Sequence, residues 1–165
     1  YPGTCRTLDE PTRTARLTAG EPHAIRLDVA ACLRNLAAPP DGFLETGRGP
    51  GGESGLIALQ PDMLGDIVLG RRDVGVSYHL AVVIDDHDQG VTLVTRGEDL
   101  FAATHVQRLL QAVLGFSAPR YRHHPLIRDA SGRRLAKRDQ AQTLAALRAS
   151  GVSPAAVRER LRLNQ

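Results

Sequence analysis

A single lysine stands out among the residues that could do chemistry. Of the 21 basic side chains in this 165-residue chain, twenty are arginine and one is Lys137. Lys137 lies in the basic segment 133–139, which follows a turn at Gly132. A mobile loop with one compact ammonium group can close over a triphosphate and stabilise the charge that grows on a leaving pyrophosphate. A basic surface loop is the plainer interpretation, and the segment alone does not decide between the two.

Two further side chains could bind the carboxylate of a small molecule. Arg96 follows the apolar segment 91–95, and an arginine at the carboxyl end of a strand can bind a carboxylate through two hydrogen bonds. The hydroxyl group of Tyr78 could add a directional hydrogen bond. The alternatives are a half-buried sheet aromatic for Tyr78 and a surface ion pair with Glu98 or Asp99 for Arg96.

Metal-binding residues are few. Tyr1 and Cys5 are four residues apart and could fill two of the four positions around zinc, but an ordinary turn that carries a cysteine explains them as well. His123 and His124 are neighbours in a predicted strand and should face opposite sides of the sheet, which disfavours a shared metal site. Cys5 and Cys32 are too few for a disulfide framework, so we expect a reducing, cytoplasmic location.

The charge is divided unevenly along the chain. Residues 1–119 carry 10 basic and 15 acidic side chains, whereas residues 120–165 carry 11 basic and 3 acidic ones. The two parts therefore have net charges of −5 and +8. A basic segment of this kind is typical of proteins with phosphate-bearing partners, and a solvated helix face is the plainer alternative. No apolar run is long enough for a membrane-spanning helix.

The elements that would position these side chains follow from hydrophobic periodicity. The alternation from Ile25 to Val29 predicts a strand, and nine glycine or proline residues within 39–55 predict a flexible loop. Segments 67–69 and 74–76 predict a hairpin around a turn at 71–73. The apolar run 80–84 and the segment 91–95 predict two further β segments.

The second half of the chain alternates helix and strand. Apolar residues spaced three and four apart predict a helix that Thr104 caps and Gly115 ends. A strand over 121–127 follows, and two short helices close the chain, the last with Ser153 as its N-cap and Pro154 at its first position. This order of elements predicts an α/β fold for residues 60–165.

Taken together, these segments resemble the glutamyl-queuosine tRNA(Asp) synthetase family, the truncated paralogues of bacterial glutamyl-tRNA synthetase. The resemblance rests on the segment from Tyr1 to Arg6, on the core from Gly65 to Leu100, and on Arg134-Leu135-Ala136-Lys137-Arg138 at the position of the class I signature loop. Ala136 and Arg138 depart from the commonest spelling of that loop. Segment 47–55 also departs from the family, in which a Phe-x-Asp pattern is usual.

The resemblance implies a fold and a division into domains. The chain should supply the second half of a class I synthetase Rossmann-like nucleotide-binding domain. Residues 1–55 would be part of an inserted zinc-bearing lobe with a flexible loop, residues 56–139 the half-domain with its signature loop, and residues 140–165 the C-terminal helices.

The resemblance also implies roles for the candidate residues. Tyr1 and Cys5 would be zinc ligands, Tyr78 and Arg96 would bind L-glutamate, and Lys137 would bind ATP during catalysis. The enzyme would be a ligase that activates glutamate with ATP and transfers it to the queuosine base of tRNA(Asp). We expect a monomer with no membrane partner.

The family's first half, with its ATP motif and two more zinc-binding cysteines, has no counterpart in this sequence, and the chain begins with Tyr1 rather than methionine. We therefore expect that this chain alone holds no stoichiometric zinc and does not activate glutamate. One alternative is a piece of a glutamyl-tRNA synthetase that charges tRNA(Glu). Another is a non-catalytic, basic RNA-binding module.

Overall fold

A computed structural model describes residues 2–60, 65–128, 132–135 and 143–161 of the protein. The chain forms two compact units, residues 1–124 and residues 125–165. In the described ranges, no helix is both long and apolar enough to cross a membrane.

The helices are α1 (Glu10–Thr18), α2 (Val29–Asn35), α3 (Tyr78–Asp88), α4 (Phe101–Leu114), α5 (Leu144–Ala149) and α6 (Pro154–Arg160). The strands are β1 (Ala24–Leu27), β2 (Gly42–Glu45), β3 (Gly55–Ala58), β4 (Ile67–Arg71), β5 (Gly75–Val76), β6 (Leu93–Gly97) and β7 (Arg120–His124).

Within the described residues, four strands form the larger sheet, in the order β3-β2-β7-β6. β7 runs parallel to β2 and to β6, while β3 pairs antiparallel with β2 at one edge. Parallel neighbours need a crossover connection, and α4 supplies it between β6 and β7. The predicted α/β fold is confirmed at this level.

Helix α4 covers one face of the larger sheet. Phe101 at its start packs edge-on against Phe43 of β2, and Phe43 packs in the same way against Tyr121 of β7, each pair with ring centroids 5.5 Å apart. The helix ends where predicted, because Gly115 adopts the left-handed conformation that glycine allows. The predicted cap was wrong: Thr104 lies within the helix and is fully buried.

The smaller sheet contains β1, β4 and β5, in the order β1-β4-β5. β4 and β5 pair antiparallel, which confirms the predicted hairpin. The predicted strand over 25–29 ends at Leu27 because the Asp28 side chain accepts a hydrogen bond from the backbone N–H of Ala31 and caps α2. Val29 therefore belongs to α2, where it packs with Ile67 and Leu109 in a buried cluster.

The apolar run 80–84 is helical, so the predicted β segment was wrong. Ser77 starts α3 by accepting a hydrogen bond from the backbone N–H of Leu80 to its side-chain oxygen, at 3.3 Å. An apolar run of five residues fits a strand and a buried helix equally well, and the capping serine decides for the helix. Tyr78 is the first residue of α3 and is 54% exposed, which also corrects its interpretation as a half-buried sheet aromatic.

Segment 39–55 is only partly a loop. Residues 42–45 form β2, an inner strand of the larger sheet, and the side chains of Phe43 and Glu45 are fully buried beneath α4. The glycines on both sides concealed the alternation of this short strand. Gly42 itself is required, because a Cβ there would lie 1.9 Å from the carbonyl oxygen of Ile57 in β3.

The second unit contains α5 and α6. The side chain of Ser153 accepts a hydrogen bond from the backbone N–H of Ala156, and Pro154 is the first helical residue, which confirms the predicted start of α6. Arg128 and Arg134 form an isolated antiparallel β-bridge in this unit. Most of the predicted signature loop, including Lys137, lies outside the described residues.

Candidate functional site

Three parallel strands of the larger sheet end at one edge, and each carries a polar side chain there. Glu45 is the last residue of β2, Arg96 lies near the end of β6, and His123 lies near the end of β7. Arg96 and His123 are paired in the register of β6 and β7, so their side chains lie on the same face. Because open α/β sheets bind ligands at the carboxyl ends of their strands, this edge is the candidate site.

Arg96 is half-buried, and its guanidinium group donates hydrogen bonds to three side chains. Nη1 donates to Oε1 of Gln107 at 2.7 Å, and Nη2 donates to Oγ1 of Thr104 at 2.5 Å. Nε donates to Nε2 of His123 at 3.2 Å. A guanidinium group has five N–H groups, so two of them, one on each Nη nitrogen, have no acceptor among the described residues. A carboxylate is the ligand that such a pair of donors binds most strongly.

Glu45 and His123 form a buried pair behind Arg96. Both side chains are fully buried, and Nδ1 of His123 lies 2.5 Å from Oε2 of Glu45. Oε1 of Glu45 accepts hydrogen bonds from the backbone N–H groups of His123 at 3.0 Å and of Gly47 at 2.7 Å. Burial raises the pKa of Glu45, but these hydrogen bonds outweigh burial and leave the pKa below its ordinary value. Glu45 is therefore a buried carboxylate anion.

Gly47 allows the chain to turn closely around this carboxylate. A Cβ at this position would lie 2.5 Å from the carbonyl oxygen of His123 and 2.9 Å from Oε1 of Glu45. Only glycine lets the backbone N–H approach Glu45 so closely without displacing the end of β7.

Tyr121 lies beneath Arg96 on the same face of the sheet. The guanidinium carbon of Arg96 is 5.3 Å from the centre of the Tyr121 ring, within the range of a cation–π interaction. The Tyr121 hydroxyl group accepts a hydrogen bond from Nε2 of Gln111 at 2.9 Å. Burial raises the pKa of Tyr121, so the phenol stays neutral and contributes no charge of its own.

Two side chains of helix α3, one in its first turn and one in its last, are close enough to Arg96 to be affected by its charge. Burial lowers the pKa of His79, and the positive charge of Arg96 lowers it further. Burial raises the pKa of Asp86, and Arg96 partly opposes that rise. Tyr78 directly precedes His79, and Nδ1 of His79 is buried without a hydrogen-bond partner in the described part of the chain. Helix α3 thus adds polar groups to the Arg96 edge.

The described residues add no metal ligands to those predicted. Cys5 is exposed in a turn, and Tyr1 lies outside the described residues. Within the described ranges, no group of three histidine, cysteine, aspartate or glutamate side chains is placed to hold a metal ion. A structural zinc site takes four donors, so Tyr1 and Cys5, the two predicted ligands, do not by themselves fit this metal.

Sequence reasoning identified Arg96 but not the residues that hold it. The sequence pattern indicates no role for His123 beyond a disfavoured metal site, and its predicted orientation opposite to His124 is confirmed, since His123 is buried and His124 exposed. Glu45 was hidden in the glycine-rich segment. Its one signal was a carboxylate two residues after Phe43, the spacing that places both side chains on one face of a strand.

Residues 53–164 match the family described as tRNA synthetases class I (E and Q), catalytic domain. The match includes α3, β6, α4 and β7, the elements that carry Tyr78, Arg96 and His123.

Individual proteins are similar over nearly the whole chain. The glutamyl-Q tRNA(Asp) synthetase of Rhodobacter capsulatus is 47% identical over 96% of this chain and 54% of its own length. That of Nocardia farcinica is 40% identical over 93% of this chain and 44% of its own length. The chain thus spans about half the length of the curated relatives it matches. A crystal structure of glutamate-tRNA synthetase from Elizabethkingia anophelis matches 84% of this chain with a TM-score of 0.61 and 26% sequence identity. The match covers 27% of the synthetase chain in that structure.

Proposed function

The chain belongs to the family of class I tRNA synthetase (E and Q) catalytic domains, and from this premise we propose that it is part of an enzyme that activates L-glutamate with ATP and transfers it to the queuosine base of tRNA(Asp). The geometry of Arg96 is the observation that carries the glutamate part of the proposal. Its guanidinium group is held by three side chains at the carboxyl end of β6 and keeps one N–H group on each Nη nitrogen for a ligand.

Glutamate has two carboxylates, and the reaction uses only one of them. In activation, an oxygen of the reacting carboxylate attacks the α-phosphorus of ATP, and the bond to pyrophosphate breaks. A carboxylate bound to a guanidinium group is a poorer nucleophile, so Arg96 binds the carboxylate that does not react. The Tyr78 hydroxyl group orients the amino acid, and Lys137 stabilises the charge on the departing pyrophosphate.

The transfer step gives the second substrate. A group of the queuosine base attacks the activated carbonyl carbon, and AMP leaves. The names of the relatives that are 40–47% identical support tRNA(Asp) as the acceptor. The net charge of +8 on residues 120–165 suits a polyanionic partner. A monomeric state, a cytoplasmic location and the three-part division at residues 55 and 139 remain predictions.

A second candidate is a glutamate-tRNA ligase that charges tRNA(Glu). The solved structure that covers 84% of this chain is a glutamate-tRNA synthetase, which favours this alternative. The two candidates share the activation chemistry at Arg96 and differ only in the acceptor RNA.

Pyrophosphate exchange by the intact protein tests glutamate activation. Arg96→Gln should lower kcat/KM for glutamate by at least about thirtyfold, since truncating one partner of a hydrogen-bonded charge pair typically costs roughly 2–5 kcal/mol of binding. Arg120→Gln removes an exposed arginine from β7 and serves as the matched control. Equal activity of both variants would contradict the role of Arg96.

The acceptor is tested separately with labelled glutamate. We expect transfer to tRNA(Asp) that carries queuosine, and none to tRNA(Asp) without it or to tRNA(Glu). Transfer to tRNA(Glu) alone would establish the second candidate. Tight tRNA binding without any glutamate activation would instead support the RNA-binding module.

A further inference from the structure

We propose that Glu45 and His123 are positioning residues that fix the direction in which Arg96 presents its guanidinium group to substrate. This inference rests on the proposed function, because it concerns how the glutamate-binding arginine is held. The three groups form one hydrogen-bonded chain from Glu45 through His123 to Arg96, which crosses from β2 to β6 under α4. It explains why a carboxylate and an imidazole are fully buried where apolar packing would otherwise suffice.

The chemistry of the three groups fixes the tautomer of His123. Arg96 is always protonated and can only donate, so Nε2 of His123 must accept the hydrogen bond from Nε. The remaining proton of the neutral ring is then on Nδ1, and Nδ1–H donates a hydrogen bond to Oε2 of Glu45. A doubly protonated ring would place an N–H group against the Nε–H group of Arg96. His123 is therefore a neutral bridge between an anion and a cation.

The tautomer determines which side of the guanidinium group is available. Nε2 of His123 and Oγ1 of Thr104 lie 3.3 Å apart and together accept from Nε and Nη2 of Arg96. These two acceptors occupy one side of the planar group, as the two oxygens of a carboxylate would. A substrate carboxylate must then approach the Nη1 and Nη2 nitrogens, where Gln107 occupies only one N–H group.

Glu45 holds the tautomer because its two oxygens have different partners. Oε1 accepts from two backbone N–H groups, those of His123 and Gly47, while Oε2 accepts from the imidazole. In Glu45→Gln the amide oxygen should remain with the two backbone donors, so that the amide NH₂ group faces Nδ1. Nδ1 must then accept, the proton moves to Nε2, and Nε2–H opposes the Nε–H group of Arg96. Replacing one carboxylate oxygen of Glu45 by an amide group thus removes the hydrogen bond between Nε of Arg96 and Nε2 of His123.

The tautomer is measured directly by long-range ¹H–¹⁵N correlation spectra of the intact protein with ¹⁵N-labelled histidine. The wild-type spectrum should show His123 protonated at Nδ1, and Glu45→Gln should move the proton to Nε2. The signal is assigned by its absence in His123→Asn. A wild-type His123 that is protonated at Nε2 would overturn the proposal, and this measurement requires no enzymatic activity.

Glutamate kinetics provide the second measurement. Glu45→Gln should raise KM for glutamate about tenfold, as is typical when a residue that orients a binding group is changed, and leave kcat and KM for ATP within about twofold. Glu45→Asp, which keeps the carboxylate, should recover part of the loss, and His124→Asn on the exposed face should have no effect. If wild-type protein activates glutamate and Glu45→Gln has an unchanged KM, the positioning role is wrong. If the intact wild-type protein, as distinct from this chain alone, does not activate glutamate at all, the proposed function fails, whereas the tautomer is still decided by the spectra.

Discussion

Two histidines between helix α4 and the larger sheet are equally buried, but one has charged hydrogen-bond partners and the other has mainly aromatic neighbours. His123 in β7 and His105 in α4 are each 3% exposed, and both rings pack edge-on against Phe101. His123 is bonded to charged groups through both ring nitrogens, whereas His105 lies among aromatic rings, with the Phe43 centroid 5.1 Å away. The described polar contact of His105 is a long hydrogen bond, 3.3 Å, from the backbone N–H of Gln60 to Nδ1.

The difference shows that burial alone does not indicate the role of a histidine. At His123 both ring nitrogens have hydrogen-bond partners, and the ring connects an anion to the arginine of the candidate site. At His105 the ring replaces an aromatic or aliphatic side chain in the core, and burial lowers its pKa. We therefore expect substitutions to affect binding and stability at His123 but only stability at His105.

The largest effect should follow from His123→Leu. This change leaves Oε2 of Glu45 and Nε of Arg96 without their hydrogen-bond partner, while Oε1 of Glu45 keeps its two backbone donors. Each lost hydrogen bond to a charged group costs roughly 1.5–3 kcal/mol, so the loss of two should lower the free energy of unfolding by about 3–6 kcal/mol. Urea denaturation of the wild type and the variant measures this difference. A loss below about 1 kcal/mol would mean that the polar chain contributes little and that the comparison with His105 fails.

A smaller effect is expected from His105→Leu. The aromatic surroundings accept an aliphatic side chain, and the main loss is the acceptor for the Gln60 N–H group, which costs about 1 kcal/mol at neutral pH. Glutamate KM should not change, because the described contacts of His105 do not include Arg96 or His123. A variant with the same stability loss as His123→Leu would contradict the distinction between the two residues.

The same variant should change the response to acid. The folded-state pKa of His105 lies below its ordinary value of 6.5, so the fold favours the neutral ring. This contribution is fully present above about pH 6.5 and is lost as the pH falls through the lower folded-state pKa. His105→Leu should therefore reduce the decline in the free energy of unfolding below pH 6.5. The decline that remains in this variant should include a contribution from His79, whose pKa is also lowered. Urea titrations at several pH values measure the slope, with His124→Leu as the exposed control.

Local signals in the sequence predicted much of the fold. The hairpin over 67–76, the helix end at Gly115 and the start of α6 at Ser153 each depend on residues within a few positions of one another. The failures at Thr104 and at residues 80–84 occurred where a polar residue or an apolar run fits two structures, and tertiary packing decides between them.

The candidate site was predictable only in part, because its support comes from distant segments. Arg96 was found from its place at the end of a predicted strand. Its partner His123 lies 27 residues away, and Glu45 lies 78 residues from His123. Neither pairing affects the local hydrophobic periodicity, and the glycines around β2 obscured the strand that brings the Glu45 carboxylate to the site. The roles of Tyr1, Cys5 and Lys137 stay predictions.

The smallest effect should come from Tyr121→Phe, which separates the ring of Tyr121 from its hydroxyl group. The ring carries the contact with Arg96 at 5.3 Å and stacks near His123 at a centroid distance of 6.3 Å, and phenylalanine keeps both. The lost group is the acceptor for Nε2 of Gln111. One neutral hydrogen bond contributes about 1 kcal/mol, so stability should fall by that amount or less while the glutamate KM stays within about twofold. Because Tyr121 is as deeply buried as His123, a tenfold rise in the glutamate KM of Tyr121→Phe would show that any disturbance of this face impairs substrate binding. The positioning role would then not be specific to Glu45 and His123.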